Sequence, residues 1–600
     1  IVGELARAQA KRGTGYVGAL GRKRKDGTIV DGEEIFPEVM RGEIKSGGFD
    51  LNGSWSPLYT VHKLFAGLLD VHAAWGNTQA LTVATGLATY FAKVFAALDD
   101  AQMQTLLGCE YGGLNESYAE LSARTGDKAW LAVAERLYDR KMLDPMVAGE
   151  DKLANFHANT QVPKLVGLAR IHELTGKPAP ANAARFFWNT VTQHHSYAIG
   201  GNADREYFSE PDTIARHITD QTCEHCNTYN MMKLTRHLYG WQPDGRYFDY
   251  YERAHLNHVM AAQNPKTAGF SYMTPLMSGV ARDYSTPADD VFWCCVGSGM
   301  ESHAKHGESI FWEGGNTLLV NLYIPAEARW QARGAVLTLD TRYPFEPESR
   351  LTLTTLARPG RFPIALRVPG WASGRATVTV NGAPFEPGIA KGYAIVERRW
   401  KAGDVVAITV PLDLRLESAP GDIDTVAVLR GPMVMAADLG PKDAPWEQAD
   451  PAMVGADLLA AFTPTIGTAA TYATYVTKGI IRPADLSFVP FYSQYDRRSA
   501  VYFKRFGEAA WTTQEAAFLA EQARLKDLAA RSVDVMHLGE MQPERDHGLT
   551  SEISYPESYR GRNGRDARSG GYFEFAMKTR PGPLLLQATY WGDERARDFD

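Results

Sequence analysis

The spacing of apolar residues changes near Trp312, and this change constrains the fold more than any other feature of the sequence. Before Trp312, apolar residues recur every three or four positions within segments of helical length. After it, apolar and polar residues alternate, which is typical of half-buried strands. The 600 residues exceed what a single core usually supports. The sequence therefore predicts a multidomain protein, with an all-α domain over 1–312 followed by all-β domains.

The helical region repeats one unit, in which an amphipathic helix, a short Gly/Asp/Asn break and a second helix follow one another. Such units start at Leu58, Tyr118, Val166 and Tyr229. Glycines stand where the first helix of each unit is expected to end; they are Gly76, Gly126, Gly176 and Gly240. Repeated helical hairpins predict a solenoid or a closed α/α toroid. The irregular spacing and long joining loops favour the toroid, whose loop ends form a concave site.

The alternating segments between Leu318 and Leu412, with a hairpin signal at Asn381-Gly382, predict a β-sandwich over 313–437. Four prolines make 438–470 a predicted linker; they are Pro441, Pro445, Pro451 and Pro464. A helical run is expected at about Thr513–Val533. The rest of 471–600, with YFEFAMKT and PLLLQATYW as strands, is predicted to be a second, truncated β module.

Charge and hydropathy exclude some partners. The formal charge of −7 is small for this length, and without a long basic run no nucleic-acid partner is expected. No apolar run approaches the roughly 18 residues of a membrane-spanning helix. The chain begins at Ile1 and ends soon after an apolar run, so we expect a fragment of a longer protein. Its compartment and oligomeric state stay open, with an exported location, periplasmic or extracellular, favoured over a cytoplasmic one.

Four of the five cysteines fall into two short clusters, Cys223-x2-Cys226 and Cys294-Cys295. Two thiol clusters far apart in sequence predict one metal site that the fold closes. Spacing alone proposes all four cysteines as ligands. A thioredoxin-like dithiol also fits the first cluster, but no βαβ pattern surrounds it. Buried free cysteines in a helical core are the remaining alternative.

Longer segments resemble a known family. TCEHCNTYNMMKL, YYERAHLNHVMAAQNP, FSYMTPL and FWCCVGSGMESHAKHGESIFW are similar to the β-L-arabinofuranosidases of glycoside hydrolase families 127 and 146. CEYGGLNE, LNGSWSPLYTVHKLFAGL and NFHANTQVPK resemble family 146 more. The resemblance implies an all-α (α/α)6 toroid as the catalytic domain, followed by all-β sandwich domains. The chain departs from the family at its start, where the first helices, and some sugar-binding residues with them, are missing.

The resemblance also implies a zinc ion as cofactor, held by Glu224, Cys226, Cys294 and Cys295. Cys223 is then not a ligand, in conflict with the spacing, and we favour the set that the resemblance gives. Residues two apart do not share a helix face. Glu224 and Cys226 are therefore expected on a loop or an irregular first turn.

By the same resemblance, Cys294 is the nucleophile. Zinc keeps a thiol deprotonated at neutral pH, and attack on the anomeric carbon followed by hydrolysis retains the configuration. The general acid of the family is a glutamate shortly before the Glu-x-Cys pair. Glu206 in REYF matches that position better than Glu210 in SEP. Five further residues are expected to bind the sugar: His62, His157, Tyr272, Asn115 and Glu116.

The sequence thus predicts an exo-glycosidase whose partners are oligo- or polysaccharides of plant type ending in β-L-arabinofuranose. One alternative keeps the toroid but makes the zinc structural, with a carboxylate pair such as Glu206 and Glu116 performing inverting hydrolysis or uronate elimination. The other alternative is a non-catalytic glycan-binding protein.

Overall fold

The computed structural model of the protein describes residues 1–24, 27–286, 292–444, 446, 448–465, 473–559 and 562–590. The chain forms two compact units, Ile1–Thr513 and Gln514–Asp600.

The first 303 residues are mainly helical. The helices are α1 (Val2–Arg12), α2 (Ile35–Met40), α3 (Pro57–Trp75), α4 (Thr78–Ala96), α5 (Asp100–Leu106), α6 (Leu114–Thr125), α7 (Lys128–Arg136), α8 (Arg140–Ala148), α9 (Ala158–Thr175), α10 (Pro178–His194), α11 (His225–Trp241), α12 (Gly245–Ala254) and α13 (Cys294–His303). Helices α3, α6, α9, α11 and α13 pack side by side in this order, and α4, α7, α10 and α12 each pack on the preceding one of them. This arrangement confirms the predicted toroid, with the five former helices as its inner ring.

Glycine ends three of the inner helices as predicted. Gly76, Gly126 and Gly176 follow α3, α6 and α9 with φ of 64°, 74° and 70°, a left-handed conformation that glycine adopts without steric cost. The prediction for Gly240 is wrong, because α11 continues to Trp241 and ends at Gln242. A Cβ atom at Gly240 would lie 3.6 Å from the Trp312 ring, so this glycine faces a packing partner.

Ion pairs hold the later turns of the inner helices together. Glu173 of α9 accepts hydrogen bonds from Arg170 (2.9 Å), His237 of α11 (2.7 Å) and Trp241 (2.9 Å). Burial raises the pKa of Glu173, but the hydrogen bonds from His237, Trp241 and Arg170 outweigh burial and lower the pKa to about 2. Glu173 is therefore an ionised residue that links α9 to α11.

Five short strands interrupt the region predicted to be helical. They are β1 (Gly21–Lys23), β2 (Ile29–Asp31), β3 (Ser46–Gly47), β4 (Asp50–Leu51) and β5 (Ser54–Trp55), in the sheet order β2-β1-β5-β4-β3. Asn52 and Gly53 join β4 to β5 with φ of 50° and 81°, the two positive values of a type I′ hairpin turn. The strands are too short to produce a period-two pattern in the sequence.

Two facing sheets follow the helices. The strands are β6 (Phe311–Gly314), β7 (Thr317–Val320), β8 (Ala326–Trp330), β9 (Ala335–Thr341), β10 (Glu348–Leu356), β11 (Gly360–Arg367), β12 (Thr377–Val380), β13 (Ala383–Phe385), β14 (Gly388–Ala390), β15 (Tyr393–Trp400) and β16 (Val405–Thr409). One sheet has the order β13-β12-β16-β10-β9-β8 and the other β14-β15-β11-β7-β6. Trp330 of the first sheet packs edge-on against Phe362 of the second, with ring centroids 5.2 Å apart. These sheets form the predicted sandwich, but it ends at Thr409, whereas the prediction extended it to 437.

A third sheet covers the end of the predicted sandwich, the predicted linker and the start of the predicted second β module. Its strands are β17 (Leu414–Ala419), β18 (Asp422–Arg430), β19 (Met433–Pro441), β20 (Ala452–Val454), β21 (Phe462–Thr465), β22 (Thr474–Thr477), β23 (Ile481–Arg482), β24 (Ser487–Pro490), β25 (Arg497–Ala500) and β26 (Tyr502–Phe506). For the described part of 438–470 the linker prediction is wrong. Pro441 ends β19, and Pro464 lies in an edge strand, where the sheet tolerates a missing N–H. Residues 445, 447 and 466–470 of that stretch lie outside the described residues.

Buried polar contacts join the helical ring to both sets of sheets. Arg367 on β11 is fully buried and pairs with Asp249 (2.7 Å) and Glu252 (2.6 Å) of α12. The Asn257 side chain accepts the Val434 N–H (2.7 Å) and donates to the Pro432 carbonyl (2.9 Å). The ring is thus fixed to the sheets by the fully buried Arg367 guanidinium and by the buried Asn257 amide.

The second unit contains most of helix α14 (Glu508–Arg531), helix α15 (Met541–Asp546) and a hairpin of β27 (Thr550–Tyr559) and β28 (Arg562–Glu574). Helix α14 confirms the helical run predicted near 513–533. The predicted strand YFEFAMKT is strand only through Glu574, and the described part of PLLLQATYW, residues 583–590, contains no strand. Trp591 lies outside the described residues.

Across the described ranges, none of the helices combines the length and the apolar composition that crossing a bilayer requires.

Candidate active site

The N-terminal parts of the inner helices meet at one side of the ring. The Gly113 N–H, just before α6, donates to Nδ1 of His62 on α3 at 3.1 Å. Asn159 in the first turn of α9 donates to Glu224, the N-cap residue of α11, at 3.0 Å. Each helix start has unpaired N–H groups and the positive end of the helix dipole, which together favour negative charge. This end of the ring therefore suits carboxylates and thiolates.

Three sulfur atoms and a carboxylate converge there. Glu224, Cys226, Cys294 and Cys295 each have a ligand atom within 4.8 Å of the other three. The sulfur of Cys295 lies 3.3 Å from that of Cys226 and 3.9 Å from that of Cys294. Oε1 of Glu224 lies 3.6 Å from the Cys294 sulfur and 3.8 Å from the Cys295 sulfur. The structure thus brings together the four residues expected from the resemblance.

The local backbone explains how Glu224 and Cys226 reach one point. Glu224 has an extended conformation (φ −67°, ψ 132°) just before α11, and Cys226 is the second helical residue. They lie on the irregular first turn that the two-residue spacing required. Cys223 has a left-handed backbone (φ 57°) and packs against Gly201, where an added Cβ would lie 2.8 Å from its sulfur. The set that spacing alone proposed is therefore not the set that the fold gathers.

The donor set fits a metal ion. Cysteine sulfur and carboxylate oxygen are common zinc donors, and four protein ligands complete a tetrahedral site. Oε2 of Glu224 is buried and has no hydrogen-bond partner among the described residues, which is costly for a carboxylate without a cation beside it. Asn159 fixes Oε1 of Glu224 and itself accepts from Asn230 at 2.8 Å. These amides orient the carboxylate towards the three sulfur atoms.

Charge in the cluster concentrates on one sulfur. Burial raises the pKa of Glu224, Cys226 and Cys295 above the ordinary values. Hydrogen bonds from Cys226 and Cys295 lower the pKa of Cys294 to about 3. Cys294 is also exposed, whereas Cys226 and Cys295 are buried. A lowered pKa and exposure therefore coincide at Cys294.

A carboxylate lies beside this thiol. The Tyr272 hydroxyl donates its proton to Oε1 of Glu206, and Tyr272 is near enough to Cys294 to help lower the pKa of that thiol. His157 places Nε2 3.4 Å from Oε2 of Glu206. Burial lowers the pKa of His157, but the charge of Glu206 outweighs burial and raises it. The structure thus groups Glu206, Tyr272 and His157 around the exposed sulfur.

The loop that carries Glu206 is strained, and Glu210 points elsewhere. Ala203, Arg205 and Glu206 have φ of 70°, 47° and 71°, values that non-glycine residues rarely adopt. Such strain clusters at functional sites, where surrounding contacts hold it. Glu210 is exposed, and its backbone carbonyl accepts the Thr213 hydroxyl. Of the two candidate acids, only Glu206 reaches Tyr272.

Comparison with known proteins assigns the family. The family model for the GH127 catalytic domain of β-L-arabinofuranosidases matches residues 1–308, and that for the GH127 middle domain matches 317–412. The chain belongs to the GH127 β-L-arabinofuranosidase family. This GH127 protein is thus a glycoside hydrolase, acting on a glycan. The expectation that it is closer to family 146 stays a prediction.

Relatives of this GH127 protein have the same fold. A non-reducing end β-L-arabinofuranosidase from Bifidobacterium longum subsp. longum is 22% identical over 453 residues, covering 66% of this chain and 68% of its own. The crystal structure of a GH127 β-L-arabinofuranosidase from Geobacillus stearothermophilus T6 matches with a TM-score of 0.62 and 20% identity, covering 84% of this chain and 86% of that one. A GH127 β-arabinofuranosidase structure matches with a TM-score of 0.60 and 20% identity, covering 75% and 76%.

The remaining expected sugar-binding residues of this GH127 protein differ in exposure. His62 is buried under Gly112 and Gly113, where Cβ atoms would lie 2.6 Å from its Nδ1 and 2.9 Å from its Nε2. Glu116 is half-buried, and burial raises its pKa. Asn115 is fully buried, donates to the Lys164 carbonyl and accepts the Glu116 N–H. In this structure Asn115 supports the start of α6 and offers no exposed atom to a sugar.

Sequence reasoning missed several residues of the site. Asn159 donates a hydrogen bond to Glu224. The Ser298 hydroxyl oxygen lies 3.0 Å from the Cys226 sulfur. Tyr59 is half-exposed and packs edge-on to His62 with ring centroids 5.8 Å apart, and burial together with the charges of Cys226 and Glu224 raises its pKa. Tyr59 could have been found, because it lies three positions before His62 on the same helix face.

Proposed function

We propose that the protein is a retaining exo-glycosidase that hydrolyses terminal β-L-arabinofuranosyl residues of plant-type glycans, with Cys294 as nucleophile and Glu206 as acid and base. The observation that carries the proposal is the exposed sulfur of Cys294 near Tyr272, whose hydroxyl donates to Glu206. The relatives are arabinofuranosidases, one of them a non-reducing end enzyme, which supports the sugar and the exo mode of cleavage.

The place of Tyr272 near both groups supports retention. Its hydroxyl donates to Glu206, and burial together with the charges of Glu224, Glu206 and Cys294 raises the pKa of Tyr272. Retaining glycosidases hold their two groups about 5–5.5 Å apart, whereas inverting enzymes leave room for a water at about 6.5–9.5 Å. Because one tyrosine lies near both Cys294 and Glu206, we infer the shorter separation and direct attack by Cys294.

The chain's own residues account for both steps. In the first, the Cys294 sulfur forms a bond to the anomeric carbon while the bond to the leaving oxygen breaks, and Glu206 gives that oxygen its proton. In the second, Glu206 takes a proton from water, which attacks the same carbon and releases the Cys294 sulfur. Two displacements at one carbon return the original configuration. Tyr272 and His157 hold the Glu206 carboxyl throughout.

We propose zinc as the metal that Glu224, Cys226, Cys294 and Cys295 would hold. The support is the donor set and the buried, unpartnered Oε2 of Glu224. A bound zinc ion keeps its cysteine ligands deprotonated at neutral pH. The role of the protein is to keep Cys226 and Cys295 buried while Cys294 alone faces the substrate.

Hydrolysis of 4-nitrophenyl β-L-arabinofuranoside, with the first product anomer read by proton NMR, tests the proposal. We expect turnover, the β-anomer as first product, and loss of turnover in Cys294→Ala. The α-anomer as first product would indicate inversion by Glu206 with a second carboxylate such as Glu116. Failure to cleave any arabinofuranoside would favour a non-catalytic glycan-binding protein.

A further inference from the structure

Two aromatic rings lie beyond His157, the histidine that contacts Glu206. Phe49 packs edge-on to His157, with ring centroids 5.2 Å apart. Trp55 packs against Phe49, also with ring centroids 5.2 Å apart, and 39% of Trp55 is exposed. We call Phe49 and Trp55 the aromatic shelf. It continues the row from Glu206 through His157 to the surface of the protein.

The role of Glu206 as general acid determines which part of the substrate lies beside it. A general acid has to be within hydrogen-bond reach of the oxygen that it protonates. In glycoside hydrolysis this oxygen belongs to the leaving group, so the leaving group is on the Glu206 side of the cleaved bond. Side chains that extend outward from Glu206 then flank the leaving sugar. Tyr207 also packs on His157, with ring centroids 5.4 Å apart, but it is buried, so the rings that lead from His157 to the surface are those of the shelf.

The shelf is held rigidly before any ligand arrives. Trp55 and Asp50 are paired across the hairpin of β4 and β5, whose turn is Asn52-Gly53. The Asn52 side chain accepts the Lys45 N–H at 2.8 Å and donates to the Glu43 carbonyl at 2.8 Å. A platform that is already ordered loses little conformational freedom when a ring stacks on it.

We propose that Phe49 and Trp55 form the subsite for the leaving sugar, with the C–H face of a saccharide ring stacked on Trp55. This inference rests on the proposed function, because it places Glu206 at the leaving oxygen. It adds the chemical class of the leaving group, a sugar ring rather than a small alcohol. It also makes Trp55 a specificity-determining residue, although Trp55 is too far along the row to touch the reacting atoms.

The test compares two substrates in matched variants. One substrate is a disaccharide with β-L-arabinofuranose at its non-reducing end, and the other is methyl β-L-arabinofuranoside, whose leaving group is too small to reach the shelf. Trp55→Ala is compared with Trp75→Ala, because Trp75 is 78% exposed and ends the same helix, α3, that Trp55 precedes. At about 1.5 Å per residue, this helix separates the two tryptophans by roughly 27 Å.

We expect the ratio of kcat/KM for the disaccharide to that for the methyl glycoside to fall about tenfold in Trp55→Ala, the equivalent of roughly 1.4 kcal/mol. Trp55→Phe should restore most of the ratio, and Trp75→Ala should keep the wild-type ratio. An unchanged ratio in Trp55→Ala, or an equal fall in Trp75→Ala, would overturn the inference while leaving the proposed function standing. If the wild type cleaves neither substrate, the proposed function fails and the inference fails with it.

Discussion

Cys294 and Cys295 have sulfur atoms 3.9 Å apart, yet Cys294 is exposed and Cys295 is completely buried. The two residues begin α13, where successive side chains point in different directions. One thiol can therefore meet a substrate while its neighbour faces the protein. Neither sequence spacing nor metal chemistry distinguishes the two thiols, whereas exposure does.

An electrophilic arabinofuranosyl derivative should therefore label Cys294 and leave Cys295 unmodified. Peptide mass mapping after digestion identifies the labelled cysteine, and an excess of L-arabinose should slow the labelling. Cys109, which is buried away from the cluster, serves as an internal control and should stay unlabelled. A label on Cys295, or on a carboxylate such as Glu116, would contradict the thiolate mechanism.

Metal content should depend on Cys226 and not on Cys223. We expect about one zinc per chain in the wild type and in Cys223→Ser, and a loss of most zinc in Cys226→Ser, because only Cys226 contributes to the four-ligand group. Elemental analysis of the purified proteins gives the measurement, and circular dichroism checks that both variants are folded. Equal loss in both variants would instead support the set of four cysteines that spacing proposes.

Glu206→Gln should slow hydrolysis according to the leaving group. With an alkyl leaving group, loss of the acid should cost a factor on the order of 10² or more, the scale of general acid catalysis. With an activated aryl leaving group the first step should suffer less, because that oxygen needs little help from a proton. Glu210→Gln is the matched control, since Glu210 is exposed nearby on the same loop, and we expect near-wild-type rates for it. The reverse pattern would assign the role to Glu210.

Glu173→Gln should destabilise the ring in a pH-dependent way. The folded pKa of about 2 lies below the ordinary 4.5, so the contribution of Glu173 is fully present above about pH 4.5 and is lost as the pH falls towards 2. The difference between these two pKa values corresponds to on the order of 3 kcal/mol of folding free energy. Urea unfolding followed by tryptophan fluorescence should show a lower midpoint for the variant at pH 6, with less than half of that deficit at pH 3. Glu313→Gln, a substitution at an exposed position, is the control. A deficit independent of pH would contradict a stabilising role for the Glu173 charge.

Periodicity predicted the toroid well because the inner and outer helices are long enough to repeat their apolar spacing several times. The three C-capping glycines at Gly76, Gly126 and Gly176 followed from the same repeats, since a left-handed residue ends a helix wherever it occurs. Gly240 misled the prediction because it lies inside the last turn of α11, one residue before the helix ends, and a glycine there leaves the same mark in the sequence as a cap. The linker prediction was wrong for a similar reason, since prolines also occur at strand ends and edges.

The site depends on contacts that no local pattern records. Glu206 and Tyr272 are 66 positions apart, and Asn159 and Glu224 are 65 apart, so only the closed ring brings them together. Glu224 displaces Cys223 from the cluster because of two backbone conformations, one extended and one left-handed, that residue spacing does not determine. The resemblance to a family supplied Glu206, Tyr272 and Glu224 but not Asn159; the residues alone supplied only the existence of a metal site.

The pairing of the buried Arg367 with Asp249 and Glu252 determines whether the helical domain can be separated from the sheets that follow it. The family models end at residue 308 and resume at 317, as if the helical and middle domains were separable modules. A cut at that boundary would leave two carboxylates without their guanidinium and Asn257 without its backbone partners, which is strongly destabilising for buried charges. The helical ring and its sheets therefore form one structural piece, whatever the boundaries of sequence similarity suggest.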